Sequence, residues 1–415
     1  MGEKALLVTV DLDRRSKWLP KEQQAELLAL ATSAGTTVVD EILVKRKGPS
    51  AGCYIGKGKL DEISLMVDEL GIDLVIFNND LTGTQQKNIE DVVGVKVVDR
   101  TQLILDIFAR RAKSNEGKVQ VELAQLLYLL PRLTGKGILL SRLGGGIGTR
   151  GPGETKLEVD RRRIRDRIAK VKHELDKLTR QRVMRRKTRT RFSVSTVAIV
   201  GYTNAGKSTL LNSLTDTRVI VQDKLFSTLD PTIRKYTLPN NQKILLIDTV
   251  GFLRELPHHL IESFKATLEE VIDADILIHI IDASHPMALE QSDAVYGVLR
   301  ELGAEGKPTV VALNKIDRIE DGSAVIEQLK GHFNDAVSLS ALKRSGFESL
   351  VKSLSNLLAS LVTRIEVVIK PSGLKLLHLI YEHGKVLKRD QRGEDVYIEA
   401  EVPTILKAKI LKQLE

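Results

Sequence analysis

The stretch Gly201-Tyr-Thr-Asn-Ala-Gly-Lys-Ser208 decides the fold of the largest part of this chain. It follows the apolar run TVAIV (196–200) and precedes TLLNSL (209–214), which has helical spacing. A buried strand, a glycine-containing loop and a helix in this order predict a phosphate-binding loop. The glycines let backbone N–H groups turn toward phosphate oxygens, and the helix N-terminus adds partial positive charge. The candidate phosphate-binding residues are Gly201, Asn204, Ala205, Gly206, Lys207, Ser208 and Thr209.

Two side chains at the end of this loop carry the expected chemistry. The Lys207 ammonium can reach the β and γ phosphates of a nucleoside triphosphate, which makes Lys207 a candidate catalytic residue. The Ser208 hydroxyl is a candidate ligand of Mg²⁺, because that cation prefers oxygen donors. The spacing alone would occur by chance in roughly one or two chains of this length per hundred, so it needs support from other motifs.

A second motif, Asp248-Thr-Val-Gly251, ends the strand-like run KILLID (243–248). An aspartate in this place can hold Mg²⁺, usually through a water molecule. The backbone N–H of Gly251 can sense the γ-phosphate, so Gly251 is a second candidate catalytic residue.

The third and fourth motifs predict that the base is guanine. Asn314-Lys-Ile-Asp317 ends the run PTVVAL, and Ser340-Ala-Leu342 follows the strand-like AVSL. An Asp317 carboxylate would accept hydrogen bonds from the ring N–H and the exocyclic amine of guanine, which adenine does not offer. Lys315 would pack its aliphatic part on the base, and the backbone of Ser340, Ala341 and Leu342 would donate to the guanine carbonyl. Each motif alone could be a turn at a strand end, but four in order predict a guanine-nucleotide site.

The apolar runs themselves predict the fold around this site. They are short and almost wholly apolar, as expected of parallel strands that are covered on both faces. Helical segments separate them, so we predict an α/β fold with a doubly wound, mostly parallel sheet: a P-loop GTPase domain over residues 194–363. The four runs are STVAIVG (195–201), KILLID (243–248), ILIHIID (276–282) and PTVVALN (308–314).

A switch segment is expected between the phosphate loop and Asp248, at LFSTLDPTIRK (225–235). One threonine here should coordinate Mg²⁺ and contact the γ-phosphate in the triphosphate state only. Thr228 is our candidate, as a metal ligand and as a catalytic residue, and Thr232 is the alternative.

Phe252 stands directly after Gly251, where many small GTPases carry a glutamine that orients the attacking water. A phenylalanine cannot hydrogen-bond that water, so we expect slow intrinsic hydrolysis and a partner or another residue that completes the site. His258 and His259 are candidates, although a solvent-facing pair is the other interpretation.

The rest of the chain predicts three further parts. Residues 1–100 alternate strand and helix patterns and should form a small α/β domain, with strands over 5–10, 36–44, 73–78 and 95–99. Residues 101–193 should form an antiparallel helical hairpin with a glycine-rich loop at 140–156, and residues 364–415 a small α+β domain. Helical patterning is continuous over 101–135, and the second helix has a coiled-coil seam of Ile164, Ile168, Val171, Leu175 and Leu178.

Positive charge is concentrated in one segment. From Arg150 to Arg191 the chain has 17 Lys/Arg against 6 Asp/Glu, a net charge of +11 in a chain whose total is +9. Because arginine grips phosphate through two parallel hydrogen bonds, this segment predicts an RNA partner, with a solvated helix face as the alternative. The candidate RNA-binding residues are Arg142, Arg150, Arg161, Arg162 and Arg163.

Length and composition exclude several classes of protein. A chain of 415 residues predicts about three domains, and its 42% apolar content excludes a disordered chain. The single cysteine, Cys53, excludes a disulfide framework and a cysteine-rich metal site. No apolar run reaches the roughly 18 residues of a membrane span, and the N-terminus lacks a signal-peptide pattern. These observations favour a cytoplasmic location without a membrane partner. We also expect a monomer.

The motifs resemble those of a known group of proteins. GYTNAGKST (201–209), STLDPT (227–232), DTVGF (248–252) and NKID (314–317) resemble the Era/Obg-like translation-associated GTPases. Two further stretches, RLGGGIGTRGPGETKLEVDRRRI (142–164) and IGKGKLDEI (55–63), are similar to the HflX family specifically, and the resemblance covers residues 1–363. Family members characteristically have the hydrophobic residue seen here as Phe252.

This resemblance implies a GTPase that uses GTP/GDP and Mg²⁺ and binds the large ribosomal subunit and its ribosomal RNA. It further implies splitting or rescue of stalled or stressed ribosomes, with the N-terminal module near the peptidyl-transferase region. A ribosome-assembly or RNA-modification GTPase is one alternative. A non-catalytic RNA-binding scaffold is another, although the intact Lys207, Asp248 and Asp317 argue against it.

Overall fold

A computed structural model describes most of the chain. The described residues form three β-sheets with their helices. None of their helices combines the length and the apolar character needed to cross a bilayer. The described residues are 2–12, 17–133, 156–190, 194–215, 225–226, 229–240, 242–255, 257, 260, 263–319, 322–333, 335–370, 374–393, 395–403, 407 and 410.

The N-terminal part is a parallel sheet with helices, as predicted. Its strand order is β2-β1-β3-β4, and all four strands lie where the apolar runs placed them. The helix α3 was not predicted; it begins with a capping box in which Thr82 and Gln85 satisfy each other's backbone N–H groups. The elements are β1 (Lys4–Leu12), α1 (Pro20–Ala34), β2 (Thr37–Arg46), α2 (Lys57–Leu70), β3 (Leu74–Phe77), α3 (Gly83–Val93) and β4 (Lys96–Val98).

The continuous helix expected over 101–135 is wrong, because two helices occupy this stretch. They are α4 (Arg100–Arg111) and α5 (Asn115–Leu129). Ala112 between them has an extended backbone, and the Ser114 hydroxyl caps α5 by accepting from the Gly117 N–H at 2.9 Å. Apolar periodicity continues through both helices, so it does not reveal the break.

The hairpin consists of α5 and the long helix α6 (Lys156–Thr190). Arg167 forms an ion pair with Glu122 at 2.6 Å, and Arg161 Nη2 donates to the Leu133 carbonyl at 3.2 Å, so the helices run antiparallel. The predicted seam faces α5: Val171 is buried against Val119 and Leu123, and Ile168, Leu175 and Leu178 pack beside them. The predicted glycine-rich loop falls in residues 134–155, outside the described residues.

The third part is the predicted doubly wound sheet. Its strand order is β10-β9-β8-β5-β7-β6, and every neighbouring pair is parallel except β6 with β7. The strands are β5 (Ser195–Gly201), β6 (Thr232–Thr237), β7 (Lys243–Asp248), β8 (Ile276–Asp282), β9 (Thr309–Asn314) and β10 (Val337–Ser338). The helices are α7 (Lys207–Thr215), α8 (Lys265–Asp273), α9 (Ala288–Glu301), α10 (Gly322–His332) and α11 (Phe347–Ser360).

The C-terminal part is a small antiparallel sheet with one helix, also as predicted. β11 (Val362–Ile369), α12 (Leu374–His383), β12 (Lys385–Arg392) and β13 (Asp395–Pro403) have the strand order β11-β13-β12. Its core contains Ile365, Val367, Ile380 and Ile398. Of the predicted closing helix, only residues 407 and 410 are described.

One apolar core joins the N-terminal part, α5 and the doubly wound sheet. It contains Leu27 and Leu30 of α1, Phe108 of α4, and Val250 and Phe252 next to the end of β7. The Phe108 ring meets the rings of Phe226 and Phe264 edge to face, with centroids 4.6 and 4.8 Å apart. The loops at the carboxyl ends of β5 and β7 therefore rest on α1 and α4.

Candidate nucleotide-binding site

The phosphate-binding loop connects β5 to α7, and its shape requires glycine. Gly206 has φ +104°, and a Cβ there would lie 2.3 Å from Asn314 Nδ2. A Cβ at Gly201 would lie 2.3 Å from the carbonyl oxygen of Ile280. Asn204, between them, has φ +60°, a region in which asparagine is tolerated. Any larger residue at Gly201 or Gly206 would push the loop away from β8 and β9.

Lys207 begins α7 and folds its side chain back across the loop. Its Nζ donates to the carbonyl oxygens of Gly201 and Tyr202 at 3.2 and 2.7 Å. Burial lowers the pKa of Lys207 to about 8, against the opposing effect of Asp248. A phosphate group beside this ammonium would restore its ordinary affinity for a proton.

Ser208 and Asp248, which are distant in sequence, meet at the carboxyl ends of β5 and β7. The Ser208 hydroxyl donates to Asp248 Oδ2 at 2.5 Å, and both side chains are buried. In the part of the chain that the structure describes, no group of three or more His, Cys, Asp or Glu is arranged around a metal position. A hydroxyl beside a carboxylate fits Mg²⁺, because this cation takes most of its ligands from phosphates and water.

Gly251 lies against the phosphate-binding loop. A Cβ at Gly251 would lie 3.0 Å from Lys207 Nζ and 2.7 Å from Thr203 Cγ2, so glycine is needed for this approach. Phe252 holds the contact through its backbone: its N–H donates to Gly201 O at 3.1 Å, and its carbonyl accepts from the Thr203 N–H at 2.8 Å. The Phe252 side chain is buried in the shared core. It is thus a packing residue that cannot orient water.

The two predicted base motifs are joined to the phosphate loop by one side chain, Asn314. Its Nδ2 donates to the Ala205 carbonyl at 2.8 Å, and its Oδ1 accepts from the Ala341 N–H at 2.9 Å. Lys315 adopts φ +63° and forms an ion pair with Asp282 at 2.6 Å. A strained backbone of this kind is concentrated at functional sites.

Asp317 and Ser340 lie side by side. The Ser340 hydroxyl donates to Asp317 Oδ1 at 2.5 Å, and this hydrogen bond holds the pKa of Asp317 below its usual value. The Ser340 N–H donates to the Ser345 carbonyl at 3.0 Å. Leu342 lies at the exposed end of this loop. Donation to guanine by the backbone of Ser340, Ala341 and Leu342 stays a prediction, and for Ser340 and Ala341 it would require N–H groups that here donate to Ser345 and Asn314. The loop stands beside Asp317 as expected.

Comparison with known proteins identifies the family. Three family models match successive parts of the chain: GTP-binding GTPase N-terminal (21–109), GTP-binding GTPase Middle Region (111–189) and 50S ribosome-binding GTPase (196–315). A GTPase HflX of Caldanaerobacter subterraneus subsp. tengcongensis is 46% identical over 410 residues, which cover 98% of this chain and 93% of that protein. The chain belongs to the GTPase HflX family.

Membership in the HflX family confirms the resemblance inferred from the motifs, and this protein is a GTPase that binds guanine nucleotides. The GTPase HflX of Escherichia coli is 39% identical over 414 residues, which cover 99% of this chain and 96% of that protein. A solved GTP-binding protein from the archaeon Sulfolobus solfataricus, in complex with GDP, is 29% identical with a TM-score of 0.45, over 87% of this chain and 100% of that one.

The two candidate switch threonines of this HflX-family chain lie on different sides of the described boundary. Thr228 lies outside the described residues, as do His258 and His259. Thr232, the alternative, is the first residue of β6 and pairs in register with Asp248. Thr228 therefore stays a prediction.

The predicted RNA-binding arginines divide into two groups. Arg142 and Arg150 lie outside the described residues. Arg161 is half-buried by its bond to Leu133, whereas Arg162 and Arg163 are exposed on α6. Arg165 and Arg167 continue this exposed face toward the middle of the helix.

Sequence reasoning missed a buried charged cluster between α1 and the nucleotide site. Glu26 of α1 lies 2.5 Å from Arg100 and 3.2 Å from Arg254, and it accepts a hydrogen bond from the Tyr202 hydroxyl. Tyr202 is the second residue of the phosphate loop, and Arg254 follows Gly251 by three residues. The N-terminal part therefore reaches the loop and the segment after β7 through one carboxylate.

The charge of Glu26 depends on this cluster. Burial on its own would raise the pKa of Glu26, but Arg100, Arg254 and the Tyr202 hydroxyl together hold it below its ordinary value. Glu26 lies in the middle of an amphipathic helix and belongs to no motif, so only the docking of the two parts reveals its role.

Proposed function

We propose that this GTPase binds the large ribosomal subunit in its GTP state and couples GTP hydrolysis to the splitting or rescue of stalled or stressed ribosomes. The observation that carries the proposal is the arginine face of α6, which stands on a hairpin packed against the same core as the nucleotide site. Ribosomal RNA is the polyanion that such a face fits. A cytoplasmic location follows from this partner.

The family model over residues 196–315 supports the choice of partner, because it describes a 50S ribosome-binding GTPase. In the proposed cycle, Lys207 holds positive charge beside the β and γ phosphates and Gly251 donates its N–H to the γ-phosphate. Thr228 contacts the γ-phosphate in the GTP state only, so hydrolysis releases the switch segment.

Mg²⁺ is part of the proposal. Ser208 would bind it directly, Asp248 through water, and Thr228 in the GTP state. When bound, the cation neutralises charge that develops on the phosphates.

The attacking water must be oriented by a group other than Phe252, whose side chain is buried in the core. We propose that the ribosome completes the site, so that turnover is slow in the free protein and fast on the correct particle. This arrangement would restrict GTP hydrolysis to the bound state.

The test is a GTP hydrolysis assay titrated with purified large subunits. Turnover should rise and saturate with large subunits and stay near the intrinsic rate with small subunits. Lys207→Ala should abolish hydrolysis in both; normal turnover in this variant would exclude the assigned role of the loop. Failure of large subunits to stimulate turnover, combined with failure to sediment with them in the GTP state, would contradict the proposal.

The same assay separates the alternative functions. Particles that are precursors of the large subunit are compared with mature subunits in parallel titrations. Stimulation by precursors only would indicate a ribosome-assembly GTPase. RNA binding that survives Lys207→Ala and is indifferent to nucleotide would indicate a scaffold.

A further inference from the structure

Asp230 connects the expected switch segment to the start of the hairpin. It stands two residues after Thr228 in sequence, and its carboxylate lies on the N-terminus of α5. Asp230 Oδ2 accepts from the backbone N–H groups of Lys113 and Ser114 at 3.0 and 2.9 Å. Asp230 Oδ1 accepts from the Ser114 hydroxyl. One switch-segment side chain thus engages three donors at the beginning of another element.

The N-terminus of α5 is shaped to receive this carboxylate. A Cβ on Gly117, in the first turn of α5, would lie 2.7 Å from Asp230 Oδ1. The Ser114 hydroxyl caps the helix and donates to Asp230 at once. A negative charge at a helix N-terminus is stabilising, because unpaired N–H groups and the helix dipole converge there. Gly117 therefore leaves room for the Asp230 carboxylate, and Ser114 donates to it.

The residues that precede Thr228 in the described chain, Leu225 and Phe226, contact α1 and α4. The Leu225 N–H donates to the Ser33 hydroxyl of α1 at 3.0 Å, and the Phe226 ring packs edge to face on Phe108 of α4. Residues on both sides of Thr228 therefore rest on elements that precede the GTPase domain. If this segment moves with the nucleotide state, its movement is therefore coupled to these contacts with α1 and α4.

We infer that Asp230 is a positioning residue that couples the nucleotide state to the helical hairpin. GTP would hold the switch segment through its γ-phosphate, and the bonds of Asp230 to the start of α5 hold the same segment, so each contact stabilises the other. The inference rests on the proposed role of Thr228 in sensing the γ-phosphate. A partner that displaces the start of α5 should therefore lower the affinity for GTP. By linkage, GTP lowers the affinity for that partner by the same factor.

The test compares nucleotide affinities of full-length variants with Mg²⁺ present. Asp230→Ala should weaken binding of a non-hydrolysable GTP analogue by about tenfold and change GDP binding less than about twofold, since GDP makes no switch contact. Ser114→Ala should act in the same direction, and the double variant should be no weaker than Asp230→Ala. Equal losses for both nucleotides, or additive losses in the double variant, would overturn the inference.

A matched control separates coupling from general destabilisation. Asp275 accepts from the Thr196 backbone N–H and hydroxyl at 2.7 and 3.0 Å, at the end of β5 away from the phosphate loop. Asp275→Ala removes a similar set of bonds and should leave the ratio of the two affinities unchanged.

Threonine variants distinguish this inference from the assignment on which it rests. If Thr228→Ala lowers the preference for the GTP analogue while Asp230→Ala does not, only the coupling is wrong. If neither Thr228→Ala nor Thr232→Ala changes the preference, the switch assignment fails. Hydrogen exchange gives an independent readout: amides in the first turn of α5 should exchange more slowly with the GTP analogue than with GDP, and Asp230→Ala should abolish that difference.

Discussion

The charge of Lys207 is destabilised by burial in the nucleotide-binding site. Two carbonyl oxygens and the nearby Asp248 accompany it, yet burial still lowers its pKa to about 8. In the folded chain this lysine therefore loses its proton at a lower pH than in the unfolded chain, where its pKa is 10.5. Burial of the charged form costs stability below about pH 8, and this cost disappears as the pH rises.

Nucleotide binding should consequently be linked to proton uptake at alkaline pH. At pH 9 most Lys207 side chains are neutral before binding and charged beside phosphate afterwards, so GDP binding should take up close to one proton. At pH 7.5 uptake should be small, and affinity should fall as the pH rises above about 8. Calorimetry in buffers of different ionisation enthalpy measures this uptake.

Lys207→Arg is the control, because a guanidinium keeps its charge throughout this range. Uptake that persists in this variant would assign the proton to another group.

At the scale of elements, features that depend on neighbouring residues could be predicted, whereas features that depend on contacts between distant segments could not. Strands β5, β7, β8 and β9 were predicted because each is a short apolar run, and the phosphate loop because its chemistry fixes its residue types. Asn314 and Ser208 could be placed for the same reason: Asn314 ends β9 and Ser208 follows the loop after β5, and the carboxyl ends of these strands share one edge. The break at Ala112 could not be predicted, because apolar residues line both helices around it.

Contacts between elements that are distant in sequence were also beyond prediction. Glu26, Arg100 and Asp230 read as ordinary surface charges in their own segments. Their roles depend on how α1, α4 and α5 dock on the GTPase domain, and no local periodicity encodes that docking.

The cluster around Glu26 allows a stability prediction for helix α1. Glu26→Ala should lower the free energy of unfolding by about 3–5 kcal/mol, because Arg100 and Arg254 would stay buried without their carboxylate. Since folding lowers the Glu26 pKa, its contribution is complete above its ordinary value of 4.5 and is lost as the pH falls below it. Urea unfolding at neutral and acidic pH measures both effects.

Glu22 offers a matched control on the same helix. Its carboxylate lies 3.5 Å from His285 and is more exposed than that of Glu26. Glu22→Ala should cost less than about 1 kcal/mol. Similar losses in the two variants would contradict the importance of the buried cluster.

For the whole molecule, the uneven distribution of charge should govern association with RNA. Arg163→Gln together with Arg165→Gln removes two charges from the exposed face of α6. The slope of log Kd against log salt for the large subunit should then fall by about two, one for each lost phosphate contact. Intrinsic GTP hydrolysis should stay unchanged.

Arg300→Gln is the control for this measurement, since Arg300 is exposed on α9 and forms an ion pair with Glu305. It should leave the salt slope as it is. A slope that is also unaffected by the two α6 substitutions would show that this face does not touch phosphate.

The Phe108 ring described above has a consequence for dissecting this protein. Phe108 covers Phe226 and Phe264 from outside the GTPase domain, so cutting the chain before Val194 would expose those rings and their neighbours to solvent. Such a fragment would have an exposed aromatic surface prone to association, next to the nucleotide-binding loops whose GTP hydrolysis it would be used to measure. Rates measured on it would describe loops released from their support, and so would differ from those of the intact chain.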